Sequence, residues 1–134
     1  MAGAVEVYVE HVLEHLFIEA PLPTDPTQLA QFQRATSQPP RTWADLKSRY
    51  SDFHGIDLST IADWSRFEAC LTVRNTIAHG LGRFTMHQLA KELSQQVSLV
   101  GISVRDGCPI VDQQALGTCF TICRNVVRDL DLRV

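Results

Sequence analysis

No stretch of the 134 residues approaches about 18 consecutive apolar side chains, so no segment is a candidate to span a bilayer. The first residues also lack the charged start, apolar run and small-residue cleavage site of a secretory leader. The expectation is a cytoplasmic protein without membrane contact. Positive charge is not in excess: 12 Lys and Arg stand against 15 Asp and Glu, for a net charge of −3. That balance argues against holding nucleic acid by bulk charge, although it leaves room for a local basic site. Cys70, Cys108, Cys119 and Cys123 form no Cys-x-x-Cys pair, and no nearby histidine completes a zinc set. They read as small buried or half-buried hydrophobes, with no metal or cofactor expected. There is no internal repeat and no low-complexity tract. A hydrophobic fraction of 45% with 20% charged residues fits one globular domain over 1–134.

What is present is mostly helical periodicity. Across residues 3–20, Val5, Tyr8, Val9, Val12, Leu16 and Phe17 recur at three-and-four spacing, with Glu6, Glu10 and Glu14 along another face. Pro21 and Pro23 end that helix. Thr24-Asp25-Pro26 supplies a cap and a first-turn proline for a shorter helix through Leu29, Phe32 and Ala35. Thr42 caps a third, with Asp45 as its acidic partner, and Gly55 stops it. Asp57-Leu58-Ser59-Thr60 predicts the start of a long helix to about His79, closed by Gly80 and Gly82, since glycine takes the left-handed conformation at a helix end, and Thr85 the start of another through Leu89 and Leu93. The β-branched stretch from Val97 to Val104, the turn Arg105-Asp106-Gly107 and Cys108–Val111 read as a small hairpin. Leu116, Phe120, Cys123, Val127 and Leu130 predict a last helix from Asp112. The fold class is all-α: a bundle of five to six helices with a small β-hairpin before the last one.

Three groups of residues are candidates for chemistry. His11-Val12-Leu13-Glu14-His15 places two histidines one turn apart, the spacing of a metal pair. A chain this short leaves little room for a further ligand and a cleft, so a solvated polar flank is the simpler reading. Trp43 and Trp64 fall at apolar helical positions and read as core rather than as base-stacking platforms. The third group is Arg74 and His79. On a wheel of about 100° per residue, Arg74 falls in the stripe of Trp64, Phe67, Leu71 and Ala78, and His79 lies about 140° round from it. A guanidinium there calls for a partner, such as a carboxylate of the first or third helix. Between Ala69 and Lys91 there is no acidic residue, whereas Arg74, His79, Arg83, His87 and Lys91 all fall within it. A cationic segment inside an acidic protein suits an anionic ligand such as RNA phosphate.

The run Arg74-Asn75-Thr76-Ile77-Ala78-His79, followed by Gly80, resembles the R-x4-H signature of HEPN domains. The resemblance covers about ten residues in sequence and most of the chain in helical architecture. It implies a HEPN-like bundle that acts as a homodimer, with two motifs sharing a cleft. It further implies a metal-independent endoribonuclease of a toxin–antitoxin or phage-defence system, with an RNA substrate and an antitoxin partner. In that scheme His79 is the general acid or base, Arg74 stabilises the charged transition state and Asn75 positions the phosphate. Arg83, His87 and Lys91 then hold RNA. The tyrosine that many such toxins carry two residues after the histidine is Leu81 here, and residues 97–111 match no catalytic part. The alternative within the family is a non-catalytic HEPN module that binds RNA, a nucleotide or a partner protein.

Overall fold

In the computed structural model, which describes residues 1–80, 82–86 and 93–134, the valine-rich opening is helix α1 (Ala2–Glu19). Its buried positions are Val5, Val9, Leu13 and Phe17, a strict four-residue spacing that faces the core. Ala20 turns extended ahead of the proline, as the residue before a proline must. Asp25 caps α2 (Pro26–Ser37) by accepting the Gln28 amide at 2.9 Å, with Pro26 in the first turn. Thr42 caps α3 (Trp43–His54) by accepting the Asp45 amide, and Gly55 ends it in the left-handed region at φ 66°. Asp45 in turn accepts the Arg41 amide and two guanidinium bonds from Arg49.

The long helix expected from Asp57 is interrupted. Asp57 does cap a turn, accepting the Ser59 amide at 2.9 Å, but that turn is a 3-10 segment of three residues, Leu58–Thr60. The chain then extends at Ile61, and α4 (Trp64–His79) begins afresh. Ile61 and Trp64 are both buried, so burial of this corner overrides the continuous helical pattern. The helix read from Thr85 through Leu89 falls largely outside the described residues, which resume in α5 (Leu93–Ser98).

The expected hairpin is real but shorter than its β-branched run. Strand β1 (Ser103–Arg105) pairs antiparallel with β2 (Cys108–Ile110), Val104 opposite Pro109. Asp106 and Gly107 both have positive φ, 51° and 75°, the geometry of a two-residue hairpin turn. Val97, Val100 and Ile102 are fully or almost fully buried, closing α5 and the turn after it rather than extending a strand.

Helix α6 (Gln113–Asp131) follows, capped by Asp112. Its buried stripe is Ala115, Cys119, Ile122, Cys123, Val126 and Leu130, while Leu116 and Phe120 point outward. The stripe read from the sequence therefore began one position late. The small side chains at 115 and 119 face the core, and the larger neighbours stay outside. Helix α4 is central, packed against α1, α5 and α6. It runs antiparallel to α6, because Asp63 at its start accepts from Asn125 while Thr60, just before it, accepts from Arg133 beyond the end of α6. The Tyr50 hydroxyl donates to the Val9 carbonyl at 2.6 Å and pins α3 to α1.

Candidate functional site

Helix α4 is mostly buried through its middle: Phe67, Ala69, Cys70, Leu71 and Val73 are all in the core, while Glu68 and Thr72 are partly covered. Beyond Val73 only Thr76 is buried, and the helix emerges into solvent. Arg74, Asn75, Ala78 and His79 are exposed. Arg74 is therefore not a guanidinium sealed in an apolar stripe. Its side chain is 48% exposed, and Ala78, read as part of the same stripe, is also outside. The wheel misleads because burial on α4 changes along the axis more than around it.

The Arg74 guanidinium donates to the Asn75 side-chain oxygen at 2.7 Å. It also faces Glu6 of α1 at 3.9 Å, a loose ion pair of the kind expected with the first helix. Gly3 lies beneath it, its Cβ direction 3.6 Å from the guanidinium. The charge is thus steadied from one side by an amide and from another by a carboxylate, and the rest faces water. Glu6 also lines a pocket of about 130 Å³ with Glu10, Arg41 and Trp43. Nothing in the sequence named Glu6 over Glu10 as the partner, since only the register of α1 on α4 selects it.

His79 is the last residue of α4. Gly80 ends the helix, its amide donating to Thr76 at 2.9 Å, with φ −98° and not in the left-handed region expected. What requires glycine is crowding: a Cβ would meet the Arg83 carbonyl oxygen at 2.5 Å and that of Thr76 at 2.8 Å. The Arg83 amide donates back to Gly80 at 3.0 Å, and Gly82 between them takes φ 78°. This turn brings the Arg83 backbone back against Gly80 at the end of α4. Phe84 is then buried, and its amide donates to Gly107 at 2.7 Å. The hairpin that matched no catalytic part therefore braces the segment just after the motif.

Arg74, Asn75, His79 and Arg83 thus share one end of the bundle, all exposed. His87, Lys91 and Leu81 lie outside the described residues. The exposed His11 and His15 pair with carboxylates of their own helix, Glu14 at 3.4 Å and Glu19 at 3.5 Å, as a solvated flank does. Trp43 and Trp64 pack edge-on at 5.7 Å beside Phe67. Trp64 is 1% exposed and donates to Glu68, so this pair is core. Cys70, Cys119 and Cys123 are buried and Cys108 half-buried, as their setting predicted. Compared with known proteins, the chain matches no family model, no curated protein and no solved structure.

Proposed function

We propose that this chain is a HEPN-type, metal-independent endoribonuclease that works as a homodimer in a toxin–antitoxin or phage-defence setting. The observation that carries the reading is the joint exposure of Arg74, Asn75 and His79 on the emerging end of α4, with Arg74 and Asn75 bonded at 2.7 Å. One guanidinium nitrogen is engaged there, which leaves further N–H donors for phosphate oxygens. An imidazole exchanges protons near neutral pH. Removing the proton of a ribose 2′-hydroxyl lets that oxygen attack the adjacent phosphorus. The 5′-oxygen leaves and takes a proton, giving a 2′,3′-cyclic phosphate and a 5′-hydroxyl. Arg74 offsets the charge that builds on the phosphorane. Arg83, folded against the helix end, adds a cation for the neighbouring phosphate.

A second reading has its own support. The Arg74–Glu6 contact ties α4 to α1, as in a non-catalytic module that binds RNA, a nucleotide or a partner protein. Incubation with single-stranded RNA in EDTA separates the two. Cleavage is expected from the wild type, and His79→Ala should lower its rate by about 10²–10⁴-fold with the melting temperature unchanged. A wild type that binds RNA without cutting it establishes the second reading instead.

A further inference from the structure

A cleft of about 530 Å³ lies between α1 and the segment that leads from the end of α2 into α3. Its α1 wall is Glu10, Leu13, Glu14, Phe17 and Ile18, whose three-and-four spacing puts them along one side of the helix. Its other wall is residues 35–40. Arg49 of α3 builds that second wall. Its side chain is only 12% exposed, and it donates to the carbonyls of Ala35 at 2.7 Å and Gln38 at 2.6 Å, and twice to the Asp45 carboxylate at 3.0 Å. Pro39 and Pro40 stiffen the stretch it holds. The wall is thus fixed in advance, which spares a ligand the cost of ordering it. We propose that this cleft binds a small organic cation: a protonated amine on an apolar body, with the ammonium at Glu10 and Glu14 and the body over Leu13, Phe17 and Pro39.

The charge in the cleft is one-sided. The Arg49 cation is already answered by Asp45. Glu6, Glu10 and Glu14 follow one another at single turns of α1. Glu6 faces Arg74 and Glu14 faces His11, which leaves Glu10 without an ion pair among the described residues. Partial burial, and then repulsion from Glu6 and Glu14, hold the Glu10 carboxyl above its ordinary range. A cation beside it offsets that cost. An anion would meet two carboxylates, and a wholly apolar ligand would strip water from Glu10 with nothing in return.

Size favours a small molecule over a protein segment. The cleft volume lies within the roughly 300–1,000 Å³ of small-molecule sites, and its apolar floor with a few polar groups at the rim is their usual composition. From Glu10 to Ile18 the α1 wall is about 12 Å long, short for the extended groove that a partner helix needs. Leu13 and Phe17 are buried, whereas Ile18 stands 82% exposed where the apolar body would end. The site is built by α1, α2 and α3 alone, so it holds whether or not the chain cuts RNA.

The test is titration of the isotope-labelled full chain with phenylbutylamine, followed by amide chemical shifts. Phenylbutanol and phenylbutyrate, which keep the body and change the charge, are titrated in parallel. The amine should give saturable shifts at residues 10–18 and 35–40, the alcohol weaker ones and the carboxylate none. Glu10 is exposed, so Glu10→Gln should fold as the wild type does. It should weaken the amine about two- to fivefold, the span of an exposed ion pair, and leave the alcohol unchanged. Ile18→Lys, which sets a competing ammonium at the rim, should weaken the amine as well. The absence of saturable shifts, equal binding of all three probes, shifts confined to other residues, or an amine indifferent to Glu10→Gln would each overturn the proposal. So would an amphipathic peptide of leucine and lysine that binds where the amine does not, which gives the cleft to a partner protein. Self-association that Ile18→Lys abolishes, without amine binding, would give it to a second copy and overturn the proposal too.

Discussion

A Cβ on Gly80 would stand 2.5 Å from one carbonyl oxygen and 2.8 Å from another, both backbone atoms that cannot swing aside. The φ of −98° at Gly80 would by itself admit alanine. Gly80→Ala should therefore cost about 1–3 kcal/mol, the usual scale for forcing an extra methyl into a packed site. The midpoint of urea unfolding reads this directly, and a midpoint equal to the wild type would mean that the 80–83 turn yields. The glycine was visible in the sequence as a helix stop, but its reason was not. The sequence pointed to a left-handed cap, whereas the carbonyl that crowds it belongs to a residue three further on. Arg74 taught the same lesson in reverse. Its oddness was visible, and even the helix that supplies its partner was among the candidates, yet its exposure depended on where α4 leaves the bundle. That is a property of neighbouring helices and not of the residues around Arg74.

Where α1, α2 and α3 meet, Phe17, Phe32, Phe53 and His54 pack ring against ring, with Phe17 and His54 at 4.7 Å. The Nε2 atom of His54 is buried and has no hydrogen-bond partner among the described residues. Burial disfavours its charged form and holds its pKa below the ordinary 6.5. As pH falls through about 6.5, unfolded chains take up a proton that the folded state resists, so stability drops from there down to the folded value. Asp45 acts in the same direction at lower pH. Its carboxylate is favoured by the Arg49 hydrogen bonds and the Arg41 amide, and its contribution fades once pH falls below the usual carboxylate range. Loss of stability in acid should thus come in two stages. His54→Phe fits the aromatic junction and should remove the first stage only, seen as a melting temperature that stays level between pH 7 and pH 5. Elements of this kind were the most readable part of the chain, because caps such as Asp25 and Thr42 are local. The failures came where an element's limits are tertiary: the corner at Ile61, and the α6 stripe shifted from Leu116 and Phe120 to Ala115 and Cys119.

That shifted stripe bears on the whole molecule. The antiparallel register of α4 and α6 sets the emerging end of α4 beside the first turns of α6. Ile77 on the one and Leu116 and Phe120 on the other are 52%, 53% and 56% exposed. Large apolar side chains left uncovered together in a small domain mark a contact surface. Ile77 lies within the run Arg74–His79, so a second copy seated over it would bring its own motif to the same place. If the proposed nuclease is such a dimer, the wild type sediments at twice the 15.0 kDa of one chain. Phe120→Glu changes a side chain that is already mostly in water, so folding stability should move by no more than about 0.5 kcal/mol. A buried carboxylate at the contact should nonetheless split the dimer, and RNA cleavage should fall with it. Coupled loss of mass and activity, with the melting temperature kept, is the expected result. A wild type that cuts RNA as a monomer would mean that one chain's Arg74 and His79 suffice, and the shared cleft would have to be given up.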